Sequence, residues 1–286
     1  MGFITARDGT DLYYKDWGRG QPVVFNHAYA LNGDTFEDQM FFLTSRGYRC
    51  IAHDRRGHGR SGQPWLGYDI DTFATDLADI MDQLDLKHVV LVGHSTGSAV
   101  VARYIGQHGT KRVDKVVLIG VVTPLVAKTE SNTEGIPIEA FNGYREAVLA
   151  DRFDFFRNLN GLYLGANRPG AQISQGLLDA TFLQETMSCV PAAHNSIKAY
   201  SETDTTDDLK QIDVPTLILH GDDDQIAPVR NAYRSAKLIK RASLKIYAGG
   251  AHAIPTTMKR RVSEDILDFV TDVAIGPTTN KTLAHV

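Results

Sequence analysis

The residues best suited to chemistry lie in the stretch from Val89 to Ala102. A short apolar, β-branched run leads into Gly93-His94-Ser95-Thr96-Gly97, and the residues that follow suit a helix. A strand, a one-residue turn and a helix in that order hold the serine in a strained backbone conformation with its hydroxyl above the sheet. The flanking positions then need minimal side chains, because strand and helix pass close together there. A serine hydroxyl is a weak nucleophile at neutral pH. It needs a base to take its proton, and the base needs a group that fixes its tautomer. In an open α/β sheet such partners belong just beyond the carboxyl ends of strands. Two positions downstream of Ser95 meet that requirement: Asp224, after the run Pro215 to His220, and His252, after Leu244 to Tyr247. Asp222 and Asp223 are alternatives for the acid and read more naturally as turn residues. The oxyanion formed during acyl transfer needs two converging N–H donors. Thr96, which follows the nucleophile, supplies one. The loop His27-Ala28-Tyr29 supplies the other, assigned to the Tyr29 backbone.

The elements that must position these groups can be read from hydrophobic spacing. Phe3 to Trp17, broken by Asp8-Gly9-Thr10-Asp11, predicts a β-hairpin. Buried strands are expected at 21–26, 49–52, 89–93, 113–122, 215–220 and 244–247. A helix through Phe36, Met40, Phe41 and Leu43, with Asp34 as its cap, follows the first of these, and another spans 72–86. Strands and helices alternate, which predicts a mainly parallel sheet with helices on both faces. The alternation stops from Thr123 to about Ile212, where aromatic-rich helical patterns replace strands. That length is too great for one crossover and reads as a helical insertion. The alternation then resumes, and a last helix runs from about Thr257 to Val273.

Composition narrows the function. The chain has 286 residues, 30 Lys and Arg against 34 Asp and Glu, and no basic run, which argues against a nucleic-acid partner. No apolar run approaches the ~20 residues of a membrane span, and the N-terminus lacks a signal-peptide core. Two distant cysteines, Cys50 and Cys189, do not make a disulfide framework, so a reducing, cytoplasmic location is expected. No His-x-x-x-His pattern is present, so no metal site is expected.

Taken together these segments resemble the α/β-hydrolase superfamily, whose nucleophile elbow and Ser, Asp, His order they follow. Within it the chain is similar to the cofactor-free haloperoxidase and aryl esterase branch. The segments His53-Asp54-Arg55-Arg56-Gly57-His58-Gly59-Arg60-Ser61, Gly93 to Gly97, Ala102 to Gly106, Lys198 to Asp204 and His220 to Gln225 carry the likeness, which spans about residues 1–273. The resemblance implies an α/β fold with a mostly parallel, eight-stranded sheet and a helical cap inserted after the sixth strand. On this reading 1–123 and 202–274 form the hydrolase core, 124–201 the cap, and 275–286 a flexible tail. It implies a Ser95, Asp224, His252 triad, no cofactor and no metal, and hydrolysis of small uncharged esters or lactones. Peracid formation or hydrolysis of a lactam or amide on the same triad are alternatives. A non-catalytic small-ligand receptor on the same scaffold is a reading of another class. A dehalogenase or epoxide hydrolase is disfavoured, since those members carry an acidic nucleophile at the elbow. His27, Val122, Leu125, Phe141, Ile226 and Ala227 are expected to line the substrate pocket. Self-association is left open. Two departures stand out. Ala28 and Ala30 occupy positions where the branch usually has glycine and proline, and Ser98-Ala99 replaces a pair of glycines.

Overall fold

The computed structural model describes residues 1–271. The expected tail, 275–286, and the end of the expected last helix, 272–273, lie outside the described residues. Eight strands form one sheet: β1 (Gly2–Thr5), β2 (Asp11–Gly18), β3 (Pro22–Asn26), β4 (Arg49–His53), β5 (Val89–His94), β6 (Val113–Ile119), β7 (Thr216–Gly221) and β8 (Ala242–Tyr247). Their order is β1-β2-β4-β3-β5-β6-β7-β8. β1 pairs antiparallel with β2, and β2 with β4; every other pairing is parallel. The central strands are apolar on both faces, as a sheet covered on both sides requires. Val24, Ile51, Leu91, Val116, Leu118 and Ile218 point to one side. Val23, Phe25, Val90, Val92, Val117 and Leu219 point to the other.

Helices cover both faces. On the first side lie α2 (Ile70–Gln83), through Phe73, Leu77 and Met81, and α3 (Thr96–His108), through Val100, Val101 and Ile105. On the second lie α1 (Glu37–Thr44), through Met40 and Leu43, and near the C-terminus a helix over Lys259–Thr271, through Val262 and Ile266. One helix start differs from expectation. Asn32, not Asp34, caps this segment: its side chain accepts the Asp34 N–H at 3.0 Å and opens a 3-10 turn over Gly33–Phe36 ahead of α1. The Asp34 carboxylate is occupied instead by Lys15 and Arg60, each at 2.6 Å. Phe41, expected on the apolar face, is 73% exposed.

Between β6 and β7 the chain is helical: α4 (Ile138–Tyr163), α5 (Gln175–Thr186), α6 (Val190–Glu202) and the short α7 (Thr206–Lys210). α4 is broken at Asp151, which leaves helical geometry, and its carboxylate accepts the N–H groups of Phe153 and Asp154, starting the helix afresh. After β7 come α8 (Arg230–Leu238), then β8, a four-residue turn of helix α9 (Ile254–Thr257) and α10, the Lys259–Thr271 helix described above. Among the described residues no helix is long and apolar enough to cross a membrane.

The β3–α1–β4 connection runs to one side of β3, while β5 lies on the other. The crevice beyond the carboxyl ends of β3 and β5 is therefore a topological switch point, where ligands bind in open α/β sheets.

Candidate active site

Ser95 stands between the last residue of β5 and the first of α3 with φ 54° and ψ −118°. For a non-glycine residue that is a strained conformation, and it persists because its surroundings fix it. The strand and helix approach so closely that a Cβ on Gly97 would lie 2.0 Å from the Asn26 carbonyl oxygen, and one on Gly93 would lie 2.3 Å from the Gly97 carbonyl oxygen. Neither obstacle is a movable side chain, so the two glycines are steric requirements of the turn. The Ser95 N–H donates to Ile119 O at 2.9 Å, and the Ser95 carbonyl accepts from both the N–H of Ser98 (2.8 Å) and its hydroxyl (2.6 Å). Ser98 Oγ also accepts the Val122 N–H at 3.3 Å. A glycine there could make neither side-chain bond, so Ser98 braces the elbow.

The two sequence-predicted partners of Ser95 meet. His252 Nδ1 lies 2.6 Å from Asp224 Oδ2. Asp224 is buried and saturated: Oδ1 accepts the N–H groups of Ile226 (2.9 Å) and Ala227 (2.7 Å), and Oδ2 is also 3.2 Å from His220 Nε2. Burial alone would raise the Asp224 pKa. The facing His252 and His220 outweigh it and hold the carboxyl well below the usual carboxylate range. His220 Nδ1 accepts the Val121 N–H at 3.1 Å, so the ring proton sits on Nε2, shared between Ala227 O and Asp224. His94 Nε2 donates to the His252 carbonyl at 3.0 Å, and its ring lies 5.2 Å from that of His252. Burial pushes the His94 pKa down to about 3, so it stays a neutral brace for the loop carrying the base. The other candidate acids are spoken for. Asp222 accepts the Gly249 N–H, and Asp223 pairs with Arg168.

The loop after β3 is held from behind by a fully buried Arg55. Its guanidinium donates to the carbonyls of His27 and Ala28, and its backbone N–H donates to His27 Nε2 at 3.0 Å. His27 Nδ1 therefore carries the proton and donates to Ala28 O at 2.8 Å. Burial lowers Arg55 to about 9, which still leaves it charged at neutral pH. Ala30 adopts φ 57°, in the left-handed region, where a proline ring fixed near −65° could not fit.

Ser95, His252 and Tyr29 open into one cavity with an empty volume of about 610 Å³ including its mouth. Of the expected pocket residues, Phe141 and Ile226 line it; His27, Val122, Leu125 and Ala227 do not. His27 is turned back onto its own loop. Val122 packs in the core with α3 and the sheet. The Leu125 carbonyl accepts from Asn132 while its side chain is buried, and Ala227 uses its backbone on Asp224 and His220. The helices between β6 and β7 add Tyr144, Leu159 and Tyr163 on α4, Glu185 on α5 and Tyr200 on α6, and the loops beyond the strands add Leu31 and Gln225. Sequence reasoning missed Glu185 and the supports Arg55 and Ser98. Among the described residues no group of three or more His, Cys, Asp or Glu is placed to hold a metal ion.

Residues 21–256 match the family model described as the alpha/beta hydrolase fold. A non-heme haloperoxidase of Rhodococcus erythropolis is 52% identical over 272 residues, covering 94% of this chain and 99% of that protein. The chain belongs to the α/β-hydrolase family. This hydrolase is also 42% identical to a bifunctional esterase/perhydrolase of Acinetobacter calcoaceticus, over 94% of its own length and 99% of that protein. Among solved structures it is similar to a bromoperoxidase from Bacillus anthracis, with a TM-score of 0.91 and 34% identity, covering 95% of this chain and 100% of that one. It is a serine hydrolase, with the serine at the elbow where the family carries its nucleophile.

Proposed function

We propose that this hydrolase cleaves small, uncharged carboxylic esters or lactones through an acyl-Ser95 intermediate. The observation that carries the reading is the Asp224–His252 bond at 2.6 Å in the same cavity as a strained Ser95. With Asp224 accepting at Nδ1–H, Nε2 of His252 is left as the proton acceptor. His252 takes the Ser95 proton as Oγ attacks the acyl carbon. It then returns that proton to the departing alcohol oxygen as the C–O bond breaks. Water repeats the cycle on the acyl-enzyme: His252 accepts its proton, the acid leaves, and Ser95 recovers its hydrogen. Asp224 stays ionised and stabilises the imidazolium.

The oxyanion donors are assigned to the N–H groups of Tyr29 and Thr96. Each belongs to a peptide whose carbonyl is tied down on the opposite side. The Ala28 carbonyl, of the Ala28–Tyr29 peptide, accepts from Arg55 and His27. The Ser95 carbonyl, of the Ser95–Thr96 peptide, accepts twice from Ser98. In a trans peptide the N–H points away from its carbonyl, so these bonds set the direction of both donors before substrate arrives. Thr96 is also the first residue of α3, where an N–H has no acceptor within the helix and the helix dipole favours negative charge. Segment 124–201 is assigned as a cap, since α4–α6 bring Phe141, Tyr144, Leu159, Tyr163, Glu185 and Tyr200 to the cavity that holds Ser95. That wall is largely aromatic and aliphatic, which favours uncharged substrates.

The haloperoxidase and esterase/perhydrolase relatives support a second use of the same intermediate. There hydrogen peroxide replaces water, the acyl-Ser95 bond breaks, and a peracid leaves. The test of the primary reading is hydrolysis of p-nitrophenyl butyrate by the wild-type chain and Ser95→Ala. The variant should retain no more than the ~10³-fold enhancement that oxyanion stabilisation and binding provide without a nucleophile. Activity near wild type would sink the assignment.

A further inference from the structure

Glu185 is an acid in the cavity wall, and no cation among the described residues pairs with it. It sits on α5, is 2% exposed, and accepts a single side-chain hydrogen bond, from Asn160 Nδ2 to Oε2 at 2.9 Å. Burial pushes its pKa up to about 8, and the Asn160 bond offsets this only in part. At neutral pH the group is a carboxylic acid that carries an O–H. Beside it the Tyr163 hydroxyl is buried without a hydrogen-bond partner. Burial, then Glu185 and Asp224, hold that phenol protonated. Two hydroxyl donors thus belong to residues that line the chamber holding Ser95 and His252, in a wall otherwise rich in apolar and aromatic groups. Placing an acid here costs free energy that a leucine or glutamine would not. A bond to Asn160 alone does not require an acid.

We propose that Glu185, with Tyr163, forms a hydrogen-bonding subsite that selects esters carrying a second, uncharged acceptor oxygen, a ketone carbonyl or hydroxyl, remote from the bond that is cleaved. The proposal rests on the acyl-transfer reading above and adds the class of substrate. An acceptor oxygen there takes the Glu185 O–H and the Tyr163 O–H. A carboxylate is disfavoured, because no cation pairs with Glu185 among the described residues and Asp224 is already a buried anion nearby. The ionisable groups that share the cavity with Glu185 are Tyr144 and Tyr163 on α4, Tyr200 on α6, Tyr29 on the loop after β3, and His252 with Asp224 behind it. Arg157 of α4 is engaged elsewhere, stacked on the Phe182 ring at 4.1 Å.

The experiment compares ethyl levulinate and ethyl acetoacetate with ethyl butyrate in a pH-stat, using the full chain. Loss of one buried neutral hydrogen bond corresponds to about tenfold in binding. In Glu185→Leu the selectivity for the oxo ester that reaches the subsite, as kcat/KM relative to butyrate, should fall by about that factor through KM. In Glu185→Gln, which keeps a donor and an acceptor, selectivity should stay within about twofold of wild type. In the wild type the oxo-ester KM should rise between pH 7 and pH 9 as Glu185 loses its proton, and in Glu185→Gln it should not. A uniform loss on all three esters, or no pH difference between wild type and Glu185→Gln, overturns the subsite. So does a preference for butyrylcholine that strengthens with pH, which would mark an ammonium site. If Glu185→Leu does not fold, the Glu185→Gln pH profile decides alone. If no ester is turned over, the acyl-transfer reading fails by itself. The subsite is then read by calorimetric binding of ethyl levulinate to Ser95→Ala and to Ser95→Ala with Glu185→Gln at pH 7 and pH 9. Binding that weakens with pH only when Glu185 is present supports it, and pH-independent or absent binding overturns it.

Discussion

Replacing Asp224 by asparagine tests the charge and tautomer logic of the site without changing its shape. The amide has one oxygen and one nitrogen to place, and the structure dictates where they go. At the Oδ1 position two backbone N–H groups, of Ile226 and Ala227, require an acceptor at 2.9 and 2.7 Å. The amide oxygen must therefore take that side, and its NH₂ group is left facing His252 Nδ1 at the Oδ2 position, now 2.6 Å from an acceptor-deficient partner. His252 then becomes the acceptor at Nδ1, its proton moves to Nε2, and the ring can no longer take the Ser95 proton. His220 does not rescue it, because its own Nδ1 is committed to the Val121 N–H and its Nε2–H keeps the Ala227 carbonyl at 2.9 Å. A base locked in the wrong tautomer lowers kcat by ~10⁴-fold, about 5 kcal/mol of transition-state stabilisation. Both backbone bonds survive, so the fold should be retained. The assay is steady-state hydrolysis of p-nitrophenyl butyrate beside urea unfolding of both proteins. A folded Asp224→Asn with kcat within tenfold of wild type would refute the reasoning, since the geometry leaves the amide no other productive orientation.

Other perturbations follow from the same contacts. Gly97→Ala drives a methyl to 2.0 Å from the Asn26 carbonyl, so β3 and α3 must separate; a loss of about 1–3 kcal/mol in urea unfolding and a sharp fall in kcat are expected, and an unchanged midpoint would contradict the packing argument. Ser98→Ala removes the 2.6 Å bond to the Ser95 carbonyl and leaves the Val122 N–H unpaired; about 1–2 kcal/mol of stability should be lost and kcat should fall with KM little changed, as the kinetics would show. Glu185→Gln should alter the pH dependence of stability. The folded-state pKa is raised from 4.5 to about 8, so the folded chain holds a proton the unfolded chain has released, and stability falls as pH rises through that window. The cost reaches at most about 5 kcal/mol above pH 8, and the glutamine variant should lack that slope when both are unfolded in urea at pH 5, 7 and 9.

The fold and the candidate site were readable because strong local signals placed them. Alternating apolar runs marked the strands, and the positions just after β5, β7 and β8 yielded Ser95, Asp224 and His252, of which the last two meet at 2.6 Å. The pocket was less readable. His27, Val122, Leu125 and Ala227 were expected from their place near strand ends, but side-chain direction is set by tertiary bonds such as those holding His27 to Ala28 and Arg55. Much of the observed wall comes from α4–α6, whose helical periodicity does not say which stripe faces Ser95. Glu185 follows Thr181 by four residues on the buried side of α5, yet an acidic residue on a polar helix reads as solvent-facing until its neighbours are known. Asp34 likewise reads as a helix cap by its spacing, and is claimed instead by Lys15 and Arg60 from elsewhere in the chain. Ala30 shows the converse: the substitution for proline was visible, but its left-handed backbone was not.

The proposed mechanism requires that Ser95 itself carry the acyl group. It is tested most directly by mixing the protein with p-nitrophenyl acetate, quenching in acid and mapping the modified peptide by mass spectrometry. The expected result is an acetyl adduct on Ser95 that appears with the released nitrophenol, disappears on incubation before quenching, and is absent from Ser95→Ala. Turnover of the ester with no adduct at Ser95, or with the adduct on another residue, would contradict the account.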